Sequence, residues 1–335
     1  MKKKQVSLKD IAAELGVSAT LVSYVINNKE KEGRVGKEMA EKIREAARRL
    51  NYQPNHFARG LKVQKSRSIG LIVADISNPF FANMARIIED EAWKNDYTVI
   101  IGSSDEKPDK MERVLRFLSS RQVDGFIIVP TEGSQEQLAD LLREKIPFVL
   151  VDRRFEDMSC NSVMTDNFLT TAQAIDRLLM KGSKRIGLIM YQSTLNNYKE
   201  RLNGYLHSHR RLGIEVDESL IKEVPYGDAG ETTVHAIVEE LLSNSIDSIF
   251  FTTNTLTISG LKAIAKIGLR IPEDIRVLAF DQNDIINFFD YPVPQVIQPI
   301  KEICEESVSV LIEQIEKGTG KISNTVFAGK IVGGF

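Results

Sequence analysis

The chain has few of the features that would place it outside the cell or in a membrane. Its 335 residues include two cysteines, Cys160 and Cys304, which are too few and too far apart for a disulfide framework or a zinc site. No stretch approaches the roughly 18 apolar residues of a membrane helix. The basic start MKKKQVSLKD is not followed by an apolar run of signal-peptide length. We therefore expect a cytoplasmic protein without a bound metal.

Motifs of catalytic and cofactor sites are also missing. GTGK at 318–321 lacks the first glycine of a phosphate-binding GxxxxGK[ST] loop and follows a predicted helix, and neither HExxH nor GxSxG occurs. His207 and His209 are two residues apart, a spacing that does not place both on one helical face, so we interpret them as solvated side chains. These absences favour a protein that is not an enzyme and has no cofactor.

The charge is unevenly distributed along the chain. Residues 1–67 contain 16 Lys and Arg against 7 Asp and Glu, a net charge of +9, and since the whole chain has −2 the remainder has −11. Clustered cations displace counterions from phosphates, so the asymmetry favours a polyanion as the partner of the first segment. A solvated charged surface would give the same count, and both interpretations stay open here.

The apolar spacing in residues 1–50 predicts three short helices. The first is capped by Ser7 and ends at Gly16, the second is capped by Ser18, and the third runs from about residue 36 to residue 50. Two helices joined by a glycine-containing turn and followed by a third describe a helix-turn-helix unit, whose second helix enters the major groove of DNA. An ordinary small helical bundle would have the same spacing.

The second helix lies in LGVSATLVSYVINN, fourteen residues without a charged side chain. Its inner residues would pack the bundle. Its outer hydroxyl, amide and methyl groups are of the kind that read base edges while neighbouring Lys and Arg hold phosphates. The residues of this unit that we predict to contact DNA are Ser7, Ser18, Ala19, Thr20, Ser23, Tyr24 and Asn27.

Residues 51–67 form a candidate linker. Pro54 breaks the preceding helix and Asn55 can cap one or two further helical turns, which are marginal in water at this length. The segment is therefore predicted to be helical chiefly when it is docked, and a flexible basic linker is the alternative for the free protein.

These segments resemble a known family. VSLKDIAAELGVSATLVSYVINN and LNYQPNHFARGLKVQKSRSIGLIV closely resemble the N-terminal region of the lactose-repressor (LacI/GalR) family of bacterial transcription regulators. The resemblance continues through ISNPFF, QVDGFIIVP, VLVDR, KRIGLI, GLRIPEDIRVLAFD and IQP. It implies that the linker is a hinge helix, which pairs with its twin in the minor groove, where Leu61 wedges into the central base step. The flanking contacts that it implies are Asn55, Ala58, Arg59 and Lys62.

From Ile69 onward, short apolar runs such as IGLIVA, DGFIIV and RVLAF alternate with segments of helix length. Two successive sets of such units predict two lobes with parallel sheets. The expected fold is an all-α helix-turn-helix DNA-binding domain followed by an α/β, two-lobed, periplasmic-binding-protein-like sensor domain. The resemblance adds three crossings between the lobes, near residues 161, 291 and 323.

The length and the 42% hydrophobic composition are sufficient for two or three domains. The predicted boundaries are 1–50 for the helix-turn-helix domain, 51–67 for the hinge, and 68–335 for the effector-binding and dimerisation domain, with about 68–161 and 292–322 in lobe 1 and about 162–291 and 323–335 in lobe 2.

Polar side chains follow the predicted strands of both lobes. Ligands of parallel sheets bind beyond the carboxyl ends of the strands, and carboxylates, amides and aromatic rings there suit a sugar. The candidate effector-binding residues at these ends are Asp75, Ser77, Asn78, Phe80, Phe81, Ser104, Asp105, Arg153, Asp166, Asn167, Asn254 and Asp281. The resemblance adds Arg201 and Gln298 and supports Asp281 as a residue of the cleft.

Three positions depart from the family pattern. Thr255 and Gln282 stand where acidic residues are common, which puts a neutral hexose in doubt and leaves a sugar acid, a phosphorylated sugar or another polyol open. Tyr24 stands where Arg is very common, and tyrosine cannot make the bidentate contact of Arg with guanine. We therefore predict an operator that departs from the family's usual half-site at the base facing Tyr24.

The leading hypothesis is a sequence-specific transcriptional regulator, a repressor of carbohydrate-utilisation genes. A sugar or sugar-derived effector in the cleft would control its affinity for a pseudo-palindromic DNA operator. A homodimer is expected rather than a tetramer, because the sequence stops at KIVGGF, where the family's tetramer-forming coiled coil would follow. A carbohydrate-binding receptor without a DNA function is the alternative, and an enzyme acting on a sugar is the third hypothesis.

Overall fold

The computed structural model describes residues 6–52, 65–228, 230–283, 286, 288, 291–318 and 320–334. The chain divides into two compact units between residues 66 and 67. The hinge residues predicted to contact DNA, Asn55, Ala58, Arg59, Leu61 and Lys62, lie outside the described residues.

Within residues 6–52, the first unit has three helices: α1 (Leu8–Leu15), α2 (Ala19–Ile26) and α3 (Lys37–Arg49). The Asp10 carboxylate accepts hydrogen bonds from the Ser7 N–H at 2.7 Å and from the Ser7 hydroxyl at 2.6 Å, which fixes the start of α1. Gly16 ends this helix with a φ of 64°. Ser18 caps α2, because its Oγ accepts from the Leu21 N–H at 3.2 Å. The predicted helices, caps and turn are therefore confirmed.

The inner faces of the three helices form one apolar core. Its buried members are Ile11, Ala12, Val22, Val25, Ala40, Ile43, Ala46 and Ala47. Two ion pairs hold α3 in place: Arg49 pairs with Glu14 on α1, and Arg44 pairs with Glu30 in the loop that follows α2. The core and these pairs together fix the orientation of α2.

The second unit contains two sheets, each with six strands among the described residues. The strands of sheet A are β1 (Ser68–Val73), β2 (Thr98–Ser103), β3 (Gly125–Ile128), β4 (Phe148–Val151), β5 (Asn161–Thr165) and β11 (Asn324–Phe327). Those of sheet B are β6 (Ile186–Tyr191), β7 (Ile221–Val224), β8 (Ser248–Phe251), β9 (Arg276–Phe280), β10 (Gln295–Ile297) and β12 (Lys330–Val332). The strand orders are β11-β5-β4-β3-β1-β2 and β12-β10-β9-β8-β6-β7. All neighbours are parallel except β10 and β12, so the predicted α/β fold with parallel sheets is confirmed.

Helices cover the sheets because parallel strands are apolar on both faces. The helices of lobe 1 are α4 (Pro79–Lys94), α5 (Pro108–Ser120), α6 (Gln135–Arg143) and α11 (Ile300–Lys317), and those of lobe 2 are α7 (Asn167–Met180), α8 (Asn196–Arg211), α9 (Glu231–Ser243) and α10 (Asn254–Ile267). In lobe 1, α4 and α11 pack on one face of sheet A and α5 and α6 on the other. None of the helices in the described part of the chain is long and apolar enough to cross a membrane.

The chain crosses between the sheets three times, and each crossing lies a few residues later than expected. Since β5 and β11 pair in sheet A and β10 pairs in sheet B, the crossings are residue 166, residues 298–299 and residues 328–329. The expected crossings near 161, 291 and 323 are therefore wrong in detail. Each of these strands forms its pairs within one sheet before the chain crosses to the other lobe. The sequence alone does not show which sheet such a strand joins.

His209 is buried, contrary to the sequence interpretation. Its Nδ1 lies 2.9 Å from the carbonyl oxygen of Tyr205, one helical turn earlier. Burial lowers the pKa of His209, and the hydrogen bond to Tyr205 only partly opposes this. His207 is exposed, as the sequence indicated.

Candidate functional site

The uncharged surface of α2 is the candidate DNA-binding site. Ser18 and Thr20 are exposed there, while Ala19, Ser23, Tyr24 and Asn27 are half-buried. The Asn27 side-chain amide donates to the Ser23 carbonyl oxygen at 2.7 Å and to the Ser23 hydroxyl at 3.2 Å. Asn27 is thus held against its own helix. Ser7 is exposed, but its hydroxyl already donates to Asp10.

A cavity lies between the carboxyl ends of the strands of the two lobes. Eight predicted effector-binding residues line it: Asn78, Phe80, Phe81, Arg153, Arg201, Asn254, Asp281 and Gln298. The residues that line it and were not predicted are Glu106, Asp152, Tyr191, Asn197, Tyr198, Tyr226, Thr253 and Thr255. The structure thus brings residues from both lobes to one site.

Six predicted effector-binding residues do not line this cavity: Asp75, Ser77, Ser104, Asp105, Asp166 and Asn167. Several serve the backbone instead. Asp75 accepts from the Ser77 N–H at 2.8 Å and closes a turn, and Asp166 caps α7 by accepting from the Leu169 N–H at 2.8 Å. Asp105 pairs with Lys110 at 2.5 Å. Residues at strand ends also form caps and turns, so position alone does not separate these roles from ligand contacts.

Arg201 is held in the cavity by three contacts. Its Nε donates to Asn167 Oδ1 at 2.9 Å and its Nη1 donates to the Thr252 carbonyl oxygen at 2.6 Å. The guanidinium also lies 3.6 Å from the ring centroid of Phe280. Asn167 therefore acts behind the cavity wall, as the side chain that orients Arg201. Among the described residues, Nη2 has no hydrogen-bond partner and is the nitrogen that can donate to a ligand.

Arg153 joins two carboxylates at the lobe 1 side of the cavity. It donates to the two Glu106 oxygens at 2.7 and 3.1 Å and to Asp152 at 3.3 Å. Burial by itself lowers the pKa of Arg153, but the charge of Glu106 and the contributions of Tyr198 and Asp152 outweigh it and raise the pKa above the ordinary value. The positive charge of Arg153 is therefore already balanced within the protein.

The sequence pattern predicted Asp105 as an effector-binding residue, whereas the adjacent Glu106 lines the cavity. Both residues adopt a left-handed φ, of 51° and 54°, in the turn after β2. That turn directs Glu106 to Arg153 and Asp105 to Lys110. Only the turn geometry decides which of two adjacent carboxylates faces the cavity.

Asp281 connects the cavity to a crossing strand. Its Oδ1 accepts from Gln298 Nε2 at 2.6 Å and its Oδ2 accepts from the Asn254 N–H at 3.2 Å. Gln298 in turn accepts from the Thr165 hydroxyl at 2.6 Å, so one amide joins the cavity floor to two of the three crossings. Burial raises the pKa of Asp281, although the charge of Arg201 and the hydrogen bond from Gln298 oppose the shift.

Three tyrosines form an aromatic wall on the lobe 2 side. The ring of Tyr191 lies 6.0 Å from that of Tyr198 and 5.1 Å from that of Tyr226. Burial raises the pKa of Tyr191 to about 12 and raises that of Tyr198 and Tyr226 as well, so all three phenols are neutral at ordinary pH. Tyr198 precedes Arg201 by three residues, and this helical spacing is a signal that could have found it.

Asn197 is the one lining side chain, within the described residues, that is buried with an unpaired oxygen. It is 3% exposed, and its Oδ1 has no hydrogen-bond partner among the described residues. A buried acceptor without a donor costs about 1–3 kcal/mol. Asn197 precedes Arg201 by one helical turn, and the same spacing signal applies to it.

Hydrogen bonds also join the lobes directly. Asn254 Nδ2 donates to Asn78 Oδ1 at 2.6 Å across the cavity. The Glu132 carboxylate accepts from the Ser193 hydroxyl at 3.1 Å and from the Thr194 N–H at 3.2 Å. The structure therefore describes the lobes in a joined arrangement.

Comparison with known proteins assigns the family. A family model described as periplasmic binding proteins and sugar binding domain of LacI family matches residues 66–328, and one described as bacterial regulatory proteins, lacI family, matches residues 7–55. The chain belongs to the LacI family. The first LacI-family match covers the two-lobed unit and the second covers the helix-turn-helix unit, so the predicted resemblance is confirmed.

This LacI-family chain is similar to named repressors over nearly its whole length. It is 31% identical over 311 residues to the ribose operon repressor of Halalkalibacterium halodurans, covering 93% of this chain and 91% of that protein. It is 30% identical over 318 residues to catabolite control protein A of Priestia megaterium, covering 94% of both. The crystal structure of transcription regulator CcpA of Lactococcus lactis matches with a TM-score of 0.72 and 26% identity over 79% of this chain and 97% of that one.

Proposed function

We propose that this LacI-family regulator is a repressor that binds a pseudo-palindromic operator as a homodimer. A neutral polyol of the sugar class in the cavity would control its operator affinity. The observation that carries the choice of effector is the set of three carboxylates that line the cavity, those of Glu106, Asp152 and Asp281. Such a wall needs a ligand rich in hydrogen-bond donors, and a sugar has a hydroxyl on nearly every carbon.

The charges of the cavity support a neutral ligand. Three carboxylates, those of Glu106, Asp152 and Asp281, face two guanidinium groups, those of Arg153 and Arg201. Arg153 is neutralised by its two carboxylate partners, so a phosphate or carboxylate ligand would have to share Arg201 with Asp281. The doubt about a neutral hexose rested on the missing acidic residues at 255 and 282, and Glu106 and Asp152 supply carboxylates from other loops.

The aromatic lining of the cavity supports a sugar ring as the ligand. Aromatic rings line the cavity from both lobes, Phe80 and Phe81 from α4 and the three tyrosines from lobe 2. Such rings can cover the C–H face of a pyranose or furanose.

The hydrogen bonds of Gln298 support control of the DNA-binding unit by the effector. A ligand that engages Asp281 competes for or reinforces the bond to Gln298, and Gln298 also holds Thr165 at another crossing. An effector that favours one arrangement of the crossings shifts the population of the lobes, and operator affinity changes with it.

The remaining parts of the proposal follow from the operator. Two helix-turn-helix units are needed to read two half-sites, which is why we propose a homodimer. The chromosomal partner places the protein in the cytoplasm, and no catalytic role is proposed for the cavity. The names of the relatives, a ribose operon repressor and a catabolite control protein, support target genes of carbohydrate use.

Thermal unfolding with a panel of ligands tests the effector class. A neutral sugar at 100 times its dissociation constant should stabilise the folded state by about 2.7 kcal/mol and raise the midpoint. The matched 6-phosphate and the matched sugar acid, which have the same ring but an added charge, should raise it much less. A panel in which only the charged ligands raise the midpoint would contradict the neutral-polyol proposal.

Titration of duplex DNA at several salt concentrations tests the DNA function. The regulator should bind a selected palindrome more tightly than a scrambled duplex of equal length, with an affinity that falls as salt rises. Binding of a sugar without any binding of DNA at low salt would instead support the carbohydrate-binding receptor.

A further inference from the structure

The ring of Tyr24 lies directly on the backbone of Gly33. A Cβ atom added to Gly33 would lie 2.5 Å from Cγ, 2.6 Å from Cδ2 and 2.9 Å from Cβ of Tyr24. Carbon atoms pack at about 3.5–4.0 Å, so no other amino acid fits at this position while the ring stays in place. The φ of Gly33 is not in the left-handed region, so its backbone conformation is not the reason for a glycine.

The loop that carries Gly33 is fixed to the rest of the helix-turn-helix unit. The Lys29 N–H donates to the Tyr24 carbonyl oxygen at 2.8 Å, and the Gly33 N–H donates to the Lys29 carbonyl oxygen at 3.0 Å. The ion pair between Glu30 and Arg44 then ties the same loop to α3. Gly33 is therefore a platform whose position is set by both flanking helices.

The platform leaves the phenol hydroxyl of Tyr24 available. The side chain is half-buried, and among the described residues its hydroxyl has no hydrogen-bond partner. Tyr24 belongs to the uncharged surface of α2, where the contacts with bases are proposed. A ring that packs against a fixed backbone loses little further freedom on binding, so its hydroxyl would meet DNA from one defined position.

We propose that Gly33 is a positioning residue for DNA readout, which fixes the Tyr24 ring so that its hydroxyl makes one hydrogen bond to a base edge in the half-site. The inference rests on the proposed operator-binding function and adds a determinant of sequence preference outside the recognition helix. Gly33 itself does not need to touch the DNA.

Selection from a random palindromic duplex library, with the full-length protein, tests the proposal. The variants are Gly33→Ala, Tyr24→Ala, the double variant, and Gly36→Ala as the matched control. Gly36 precedes α3 in the same loop, and a Cβ added there would meet nothing within 4 Å. Gly33→Ala should weaken the preference at one base position by about 2- to 12-fold, the range of one neutral hydrogen bond. Tyr24→Ala should change that same position, and Gly36→Ala should leave every position unchanged.

The double variant separates positioning from simple damage to the fold. Without the ring, the methyl group that Gly33→Ala adds has room, so this substitution should have no further effect on preference or thermal midpoint in the Tyr24→Ala protein. If Gly33→Ala alone does not fold, recovery of folding and of the Tyr24→Ala preference in the double variant supports the proposal, and no recovery overturns it.

Two other outcomes decide against it. A wild-type protein that selects no sequence refutes the proposed operator function, and the inference with it. A wild-type protein that selects a half-site, together with a Gly33→Ala preference identical to that of Gly36→Ala, refutes the inference alone.

Discussion

Replacing Arg153 by Met should destabilise the second unit strongly, because Arg153 is buried together with two carboxylates. Arg153 is 2% exposed at its side chain, and its partners Glu106 and Asp152 are 11% and 5% exposed. Methionine keeps most of the volume but leaves two buried carboxylates without their cation. Breaking a buried pair in this way costs about 3–5 kcal/mol, whereas exposed pairs contribute about 0–1 kcal/mol.

The thermal midpoint of the second unit is the measurement. For a unit of this size, 1 kcal/mol shifts the midpoint by about 2–4 °C, so Arg153→Met should lower it by about 6–20 °C. Adding Glu106→Gln to this variant should restore part of the loss, because it removes one of the two unpaired charges.

Arg270→Met is the matched control. Arg270 makes the same two-pronged contact, with Asp274 at 2.9 and 3.0 Å, but its side chain is 72% exposed. Its loss should hardly change the midpoint, because water replaces the partner. If Arg153→Met costs no more than Arg270→Met, burial is not what gives the Arg153 network its strength, and the reasoning fails.

Three further predictions concern the cavity and the lobes. Gln298→Leu removes the hydrogen bonds to Asp281 and Thr165. The variant should keep its operator binding without effector, but the effector should change its operator affinity less. Duplex titration with and without sugar measures both. An unchanged effector response would exclude Gln298 as the link. Glu132→Ala removes the bonds to Ser193 and Thr194 and should weaken effector binding by about 2- to 12-fold in calorimetry, because the joined arrangement becomes less populated; equal affinity would contradict this. The raised pKa of Asp281 means that the folded protein keeps a proton that the unfolded chain releases near pH 3.8, so stability falls as pH rises through this window. Asp281→Asn should remove that fall in thermal midpoints as the pH rises above this value, and a fall of the same size in the variant would refute the assignment.

The sequence was sufficient for the helix-turn-helix unit because its determinants are local. Ser7, Gly16 and Ser18 act within a few residues of their own positions, and the apolar spacing of three short helices directly defines one core. The α/β body was also predictable, because apolar strand runs and helical segments alternate regularly. The crossings were misplaced because the sequence does not show which strands pair: β5 lies between β4 and β11, and β11 comes more than a hundred residues later.

The cavity was only partly predictable, because its charge is the sum of contributions from several loops. Glu106 and Asp152 meet at Arg153 only after two loops of lobe 1 have folded. Thr255 and Gln282, taken alone, suggest that the cavity lacks a carboxylate. Glu106 and Asp152 nevertheless supply two carboxylates to its lining. The residue spacing within one loop does not show which side chain of another loop will lie next to it.

Gln298 is placed to link an effector in the cavity to the backbone crossings between the lobes. An amide has one donor group and one acceptor, and Gln298 uses the donor for Asp281 in the cavity and the acceptor for Thr165 beside the first crossing. A ligand hydroxyl that donates to Asp281 must share the carboxylate with Gln298, so binding changes the restraint on a backbone segment that joins the lobes. Asp281 is buried and its pKa is raised, so each hydrogen bond donated to its side chain stabilises the charged form. A ligand hydroxyl and Gln298 would therefore both favour the charged carboxylate. Under the proposed function, the effector would therefore tighten the crossings rather than loosen them, and Gln298→Leu should reduce this response.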